Sequence, residues 1–203
     1  MNRNARLSAG AAALALVLTL AACGPNPADD SSNAPAPTET AATSVQANDA
    51  DAAFAQMMVI HHEGAIEMAD LAVAQGSSAE LRALGERISS AQGPEIETMT
   101  GWLEAWGEEM PGEADMGGMD HGGMDMGGMD QDEAMEELRG LSGPQFDQRF
   151  LELMVEHHRG AVVMAETQQA EGRNPEAVSL AGTIISDQEA EITEMERMLA
   201  APE

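Results

Sequence analysis

Apolar side chains recur at intervals of three and four residues through two stretches of the sequence, residues 51–106 and 144–199. In an α-helix this spacing gathers the apolar side chains on one face, which the helix buries against its neighbours. Within the first stretch, the positions that follow this rule most regularly are Leu81, Leu84, Ile88, Ile96, Met99 and Leu103. The pattern therefore predicts long helices with one buried face.

Turn signals divide the first stretch into two helices. We place Gly76 as a left-handed residue that ends a helix over about 51–75. Ser77 and Glu80 then match a capping box for a second helix, which runs to about Trp106.

The second stretch divides in the same way. Pro144 lies in the first turn of the third helix, which ends at Gly172. Asn174 followed by Pro175 supplies a cap and a first-turn residue for the fourth helix, which runs to about residue 199. Inside the second helix, Pro94 removes one backbone donor and crowds a carbonyl group, which predicts a kink.

The two stretches are copies of one another, offset by the distance from Phe54 to Phe150. Asp51 and Asp147 open the two copies. Pairs that keep the offset further along are Gly76/Gly172, Leu84/Leu180, Ile88/Ile184, Gln92/Gln188, Glu95/Glu191, Met99/Met195 and Leu103/Leu199. Two such hairpins joined by a long connection predict an all-α fold, a four-helix bundle built from two duplicated helical hairpins.

Composition limits the classes of partner. The 203 residues include 36 acidic and 9 basic side chains, which gives a formal net charge of −27. Nucleic acids and anionic membrane surfaces need clustered Lys and Arg, so we exclude both and expect cations as partners. The single cysteine excludes an internal disulfide framework and a zinc site made of cysteines alone.

The first 23 residues have the pattern of a secretory signal. Arg3 and Arg6 precede a short apolar run, which is shorter than the roughly 20 apolar residues of a membrane-spanning helix. The ending Leu20-Ala-Ala-Cys23 resembles a bacterial lipobox, in which the cysteine becomes the lipidated first residue of the mature protein. A plain signal peptide with an incidental cysteine is the alternative.

We therefore assign residues 1–22 to a signal peptide and 23–50 to a lipidated cysteine with a disordered tether of Pro, Ala, Ser, Thr and Asp. Residues 51–203 form the working domain. Its expected location is the outer face of the cytoplasmic membrane, to which the N-terminal lipid attaches it, or the periplasm.

The first helix of each copy carries a histidine pair among methionines, and the second helix carries Gln, Glu and Met at i, i+3 and i+7. Residues spaced by three, four or seven positions share a helix face, and the second histidine of each pair points about 100° further round. The candidate metal ligands on these helices are Met58, His61, His62, Met68, Gln92, Glu95, Met154, His157, His158, Met164, Gln188 and Glu191.

Two interpretations of these side chains stay open. A buried histidine is usually hydrogen-bonded, and methionine at helical spacing usually fills a core. The duplication, however, brings His61 and His157 towards one pseudo-two-fold axis, where two protonated imidazoles would repel each other. A shared metal ion, or hydrogen bonds to Glu95 and Glu191, would remove that repulsion.

The pattern D-x-x-F-x-x-x-M-x-x-H-H-x-G-A-x-x-M-A, followed by I-x-S-x-Q-x-x-E-I-x-x-M-x-x-x-L, resembles the bacterial family known as domain of unknown function 305. Both copies carry it, over about 51–106 and 144–199. The resemblance implies a ferritin-like four-helix bundle, export, and a link to periplasmic copper-binding proteins. It places the His and Met residues of both copies at the family's signature. The Glu-x-x-His pairs of di-iron bundles are missing from both motifs, which argues against a ferroxidase-type centre.

The connection over 107–140 contains a five-residue repeat, Gly-Gly-Met-Asp-x, and no Lys and only one Arg. We expect it to be flexible, because it offers no apolar face and ordering glycine is entropically costly. Thioether sulfurs select Cu(I), while imidazole and carboxylate accept Cu(II). The candidate copper ligands in this loop are Met116, Met119, His121, Met124, Met126 and Met129. An acidic spacer and a calcium-binding aspartate ladder are the alternatives.

These features favour a binding protein over an enzyme: an exported, lipid-anchored protein that binds copper, preferably Cu(I), for sequestration, tolerance or delivery. Delivery would require a copper-handling protein as partner. A ferritin-like metal-dependent oxidase and a structural surface lipoprotein are the competing hypotheses. The sequence contains no nucleophile elbow, phosphate loop or dinucleotide fingerprint that would indicate a hydrolase, kinase or dehydrogenase.

Overall fold

Five α-helices make up the part of the chain that the structure, a computed structural model, describes, residues 47–110 and 129–201. They are α1 (Asp49–Gln75), α2 (Ala79–Trp106), α3 (Gln131–Gly140), α4 (Pro144–Glu171) and α5 (Pro175–Leu199). These ranges contain no β-strand, which confirms the all-α fold class. None of the five helices is both long and apolar enough to cross a bilayer. The predicted signal peptide, Cys23 and the tether up to residue 46 lie outside the described residues.

The helix ends of the second copy follow the sequence signals. Helix α4 begins at Pro144 and is followed by Gly172. Asn174 caps α5, because its side-chain oxygen accepts hydrogen bonds from the backbone N–H groups of Glu176 and Ala177, at 3.0 and 3.1 Å.

The first copy departs from the prediction at Gly76. Its φ of −55° is not left-handed, so the predicted positive φ is wrong. The turn needs glycine for a different reason. A Cβ atom at this position would lie 2.5 Å from the carbonyl oxygen of Ala72, a distance that no side chain tolerates.

The predicted capping box at Ser77 is also wrong, and α2 begins one residue later. Ser78 is the cap, and its Oγ accepts a hydrogen bond from the Leu81 N–H at 3.1 Å. Ser77 is not available for this role because its N–H and Oγ both donate to the carboxylate of Asp147, at 2.7 and 2.8 Å.

Pro94 does not end α2, which continues through it to Trp106. The missing proline N–H leaves the preceding turn without one hydrogen bond, and the Thr98 hydroxyl donates to the Pro94 carbonyl at 2.8 Å. A kink at this point stays a prediction.

Helix α3 corrects the expectation that the whole connection over 107–140 is flexible. Asp130 caps it by accepting the Glu133 N–H at 2.9 Å. Ala134, Met135 and Leu138 are buried on its inner face. A helix of this length is marginal by itself, so packing of these three side chains against α1 and α4 stabilises it.

The four long helices form two hairpins, α1 with α2 and α4 with α5, and the hairpins pack together through α1 and α4. Two ion pairs connect α2 with α5: Arg87 with Glu194 at 2.6 Å, and Arg197 with Glu80 at 2.5 Å. This arrangement is consistent with the predicted bundle of duplicated hairpins.

The core is divided into two apolar clusters. Cluster A combines the second half of α1 and the first half of α2 with α3, the first half of α4 and the end of α5. Cluster B combines the first half of α1 and the end of α2 with the second half of α4 and the first half of α5. The second half of α1 contributes to cluster A, whereas the second half of α4, its counterpart in the other copy, contributes to cluster B. The first halves of α2 and α5 differ in the same way. This exchange is expected for a duplicated sequence folded about a pseudo-two-fold axis.

Two aspartates confirm this symmetry by reciprocal contacts. Asp51 accepts hydrogen bonds from the backbone N–H groups of Arg173 and Asn174 in the α4–α5 turn. Asp147, its counterpart in the second copy, accepts from the N–H groups of Ser77 and Ser78 in the α1–α2 turn. Each hairpin therefore holds the turn of the other, which is the pattern of an isologous interface.

Candidate metal centre

A layer of buried polar side chains separates the two apolar clusters. In α1, His61 and His62 follow Val59 of cluster B and precede Ala65 of cluster A. In each of the other three long helices, the residues of the layer likewise lie between a segment in cluster A and a segment in cluster B. Its buried members, each at most 4% exposed, are His61, His62, Gln92, His157, His158 and Gln188. Groups of this kind are costly to bury without partners, so a layer of six needs a physical explanation.

The contact between His61 and His157 lies at the α1–α4 interface. Their ring centroids are 3.7 Å apart with an interplanar angle of 48°. This confirms that the duplication brings these two equivalent residues together. The His61 and His62 centroids are 6.4 Å apart, so the second histidine of α1 lies further from the axis.

The glutamates pair with the second histidine of each motif, not with the first. His62 Nε2 lies 2.8 Å from Glu95 Oε2, and His158 Nε2 lies 2.7 Å from Glu191 Oε2. Of the two alternatives for His61 and His157, a shared metal ion or hydrogen bonds to Glu95 and Glu191, the second is not what the structure shows. The glutamate side chains are 17% and 20% exposed, so each carboxylate reaches from the layer towards solvent.

These hydrogen bonds define the free nitrogen of His62 and His158. A carboxylate only accepts hydrogen bonds, so in a neutral imidazole the proton is on Nε2 and Nδ1 keeps its lone pair. Both Nδ1 atoms are buried and have no hydrogen-bond partner among the described residues. A histidine that donates one ring N–H to a carboxylate and presents the other nitrogen as a lone pair has the orientation of a metal ligand.

His157 is held in its neutral form. Burial lowers its pKa well below the ordinary 6.5, and repulsion from His61, His158 and His62 lowers it further. The four imidazoles thus act on one another as a single cluster. Neutral imidazole is the form that can bind a metal ion.

The two glutamines add further unsatisfied polar atoms. Neither amide atom of Gln92, nor the Oε1 of Gln188, has a hydrogen-bond partner in the described ranges, although all are buried. An unpartnered buried amide costs free energy. Both side chains lie in the layer itself, so their oxygens are additional hard donors beside the imidazoles.

The methionines of the helical motifs lie on the two sides of the layer. Met58 and Met164 belong to cluster B, and Met68 and Met154 belong to cluster A. All four are buried, Met164 the least at 6% exposure. In this arrangement they fill the core, as the packing interpretation expects, and in each helix one methionine lies three residues before the histidine pair and one lies six residues after it.

Within residues 47–110 and 129–201, no three His, Cys, Asp or Glu side chains converge closely enough to hold a metal ion as they stand. The donor set nevertheless fits a soft or borderline metal, because it offers neutral imidazole, thioether and amide oxygen without a dense carboxylate cage. A metal ion in this layer would require rotation of side chains that already lie together.

Of the methionine-rich loop, only the last candidate ligand is described. Met129 packs on cluster A, and Arg149 Nη2 donates to its sulfur at 3.2 Å. A guanidinium cation beside the sulfur disfavours a second cation there, so Met129 fits a packing role better than a ligand role. The other loop candidates, Met116, Met119, His121, Met124 and Met126, lie outside the described residues.

Sequence reasoning also missed a contact beside the layer. The Gln131 side chain of α3 donates from Nε2 to the carbonyl oxygen of Gly64 at 3.0 Å. Gly64 is three residues after His61 and therefore lies on the same face of α1. A pattern within one helix cannot show this contact, because the two residues are far apart in the chain.

Fold and layer together define a class of protein: an all-α bundle of duplicated hairpins with a buried histidine layer across its core. The profile of the domain of unknown function DUF305 matches residues 51–199, and the chain belongs to this family. The predicted family resemblance is confirmed. No curated protein shows significant similarity to the chain.

Solved structures extend this comparison. A DUF305 protein of Streptomyces coelicolor, assigned as secreted, is 36% identical with a TM-score of 0.66, over 74% of this chain and 92% of its own. A DUF305 fragment from Deinococcus radiodurans is 31% identical with a TM-score of 0.66, over 75% and 97%. CopM in its Cu(I)-bound form is 31% identical with a TM-score of 0.59, over 73% and 94%. CopM has also been solved with Cu(II) and with silver.

Proposed function

We propose that this protein is an exported, lipid-anchored copper-binding protein that sequesters copper, confers tolerance or delivers the ion to a copper-handling partner. The observation that carries the proposal is the pair of His–Glu hydrogen bonds, which leave the Nδ1 atoms of His62 and His158 buried and without a partner among the described residues. The likeness to CopM, solved with Cu(I) and Cu(II), supports copper as the ion.

In this proposal the imidazoles of His61, His62, His157 and His158 hold the ion. Glu95 and Glu191 orient the two outer imidazoles and balance the charge of the bound cation, instead of coordinating it. The thioethers of Met58, Met68, Met154 and Met164 supply soft donors, and the amide oxygens of Gln92 and Gln188 supply hard ones. Copper is the cargo, so the chain's role is to bind and release it.

The chemistry of the layer favours Cu(I). Burying an ion costs more the higher its charge, and the thioethers on the two sides of this layer carry no charge to offset it. Cu(I) also accepts thioether ligands more readily than Cu(II) does. We propose that Met116, Met119, His121, Met124 and Met126 of the loop form a second Cu(I) site, and that Cu(II) binds through imidazole.

Cu(I) titration of residues 24–203 against a competing chelator tests the layer. We expect the paired substitution His62→Ala with His158→Ala to abolish the copper binding that remains when residues 113–128 are deleted. The matched control is Glu63→Ala with Val163→Ala, because both residues are exposed on the same helices. Equal copper retention by the histidine variant and the control would contradict the layer as a copper site.

A further inference from the structure

Helix α3 lies over the groove between α1 and α4, and its first residue is beside the histidine layer. Gln131 donates its hydrogen bond to the carbonyl oxygen of Gly64, one helical turn after His61. His61 and His157 form the contact between α1 and α4 and are 3% and 4% exposed, whereas His62 and His158 are fully buried. The two less deeply buried histidines are therefore the pair at the α1–α4 contact, and α3 meets α1 one helical turn from His61.

A metal ion can reach the buried Nδ1 atoms of His62 and His158 only if part of the protein moves. The four long helices are held by two apolar clusters and by the reciprocal hydrogen bonds of Asp51 and Asp147. Opening them would expose a large apolar area, so the smaller movement of a surface element is favoured.

Helix α3 is the element with the fewest attachments. It has 10 residues and buries three side chains, all in cluster A. Glu137 makes an ion pair with Arg149 at 2.9 Å near its far end. At its near end, the Gln131 amide packs so closely on α1 that a Cβ on Gly64 would lie 3.0 Å from it.

We propose that α3 is a releasable strap over the histidine layer. When its first turn lifts from Gly64, the α1–α4 groove opens and a soft monovalent cation reaches the imidazoles; when Gln131 docks again, the layer is closed. The nature of the ion rests on the proposed copper function, but the movement does not, because it follows from the contacts of α3 alone.

The substitution Gly64→Ala tests the strap with little risk to the fold. Alanine favours a helix more than glycine does, so α1 itself gains, while the added Cβ displaces the flexible end of Gln131. Gly64→Ala crowds the Gln131 side chain, and Gln131→Ala removes its hydrogen bond to the Gly64 carbonyl. Gly101→Ala is the matched control, because a Cβ there meets nothing within 4 Å.

Two measurements on the metal-free chain give the result. Amide hydrogen exchange of residues 131–140 reports undocking of α3. The rate at which diethyl pyrocarbonate modifies the four histidines of the layer, followed by mass spectrometry, reports access to the layer. We expect both rates to rise about fivefold in Gly64→Ala and Gln131→Ala, the factor that one ordinary hydrogen bond corresponds to. Gly101→Ala should match the wild type.

Faster exchange in α3 with unchanged histidine modification would show that the groove is not the route, and unchanged exchange in both variants would show that Gln131 does not fasten α3. Either result overturns the strap. Cu(I) uptake should become faster in the two variants without a change in affinity. If histidine access depends on α3 but the chain retains no Cu(I), the strap stands and the proposed copper function fails.

Discussion

Replacing Asp51 by alanine should destabilise the bundle more than any other substitution at the ends of its helices. The carboxylate is fully buried and accepts hydrogen bonds from four donors: the backbone N–H groups of Asn48, Arg173 and Asn174 and the side-chain amide of Gln168. Its counterpart Asp147 is less buried and has the N–H groups of Ser77 and Ser78 and the Ser77 hydroxyl as donors.

The magnitude follows from what each donor does after the substitution. The three backbone N–H groups lie at a helix start or a turn and can turn to water, whereas the Gln168 side chain is 1% exposed and would lose its partner inside the protein. Hydrogen bonds to a charged group contribute about 1.5–3 kcal/mol each, so Asp51→Ala should cost about 3–5 kcal/mol. For Asp147→Ala, whose donors are solvent-accessible, we expect about 1–2 kcal/mol.

Urea denaturation followed by circular dichroism at neutral pH measures both losses. The control is Asp49→Ala, an exposed residue in the same first turn that loses only its interaction with the helix dipole, about 0.3–1 kcal/mol. The reasoning is refuted if Asp51→Ala costs no more than Asp49→Ala, or less than Asp147→Ala.

The pH dependence supplies an independent check. Burial opposes the charge of Asp51, but the hydrogen bonds from Asn48, Gln168, Arg173 and Asn174 outweigh it and lower the pKa of the carboxyl below its ordinary 3.8. A carboxyl with a lowered folded-state pKa stabilises the fold above its unfolded pKa and loses that contribution as the pH falls through the folded value. The difference between wild type and Asp51→Ala should therefore stay constant at neutral pH and shrink only below about pH 4.

Three further predictions concern the anchor, the loop and the layer. Cys23→Ser should abolish lipidation, so the protein should leave the detergent phase on partitioning; retention there like the wild type would contradict the lipobox. Deletion of residues 113–128 spares the Asp130 cap and the Met129 contact. It should remove acid-resistant Cu(I) binding, measured by chelator competition at low pH. It should leave the thermal midpoint of unfolding nearly unchanged, measured by differential scanning calorimetry. Because the pKa of His157 is lowered in the folded protein, the unfolded chain binds the proton first as the pH falls, and the free energy of unfolding should decrease below pH 6.5. His157→Gln should make this decrease with pH less steep in urea titrations. An equally steep decrease in the variant would contradict a buried neutral imidazole.

Much of the fold could be predicted because the duplicated sequence marks its own helices. Pro144, Gly172 and Asn174 define helix ends by local chemistry, and the structure places them there. The meeting of His61 with His157 followed from the duplication, since equivalent residues near a two-fold axis face each other.

The failures come from contacts between distant parts of the chain. Whether Glu95 reaches His61 or His62 depends on how α2 is rotated about its axis, which apolar spacing fixes only to within neighbouring positions. The acidic composition of α3 did not predict a helix, because its three apolar side chains stabilise it only through contacts with α1 and α4. Ser77 does not cap α2 because its hydroxyl donates to Asp147, a residue of the other copy, and Ser78 is the cap instead.

The reciprocal contacts have a consequence for the origin of the chain. A single hairpin paired with a second copy of itself would already form the histidine contact across the axis, two His–Glu hydrogen bonds and both sets of aspartate hydrogen bonds, so the layer needs no residue that one ancestral repeat lacks. Joining the two hairpins in one polypeptide replaces the encounter of two molecules by an intramolecular one at an effective concentration on the order of millimolar. Assembly of the histidine layer thereby becomes independent of how dilute the protein is, and each half is free to acquire substitutions that its twin does not share, as Pro94 and Ala190 have done.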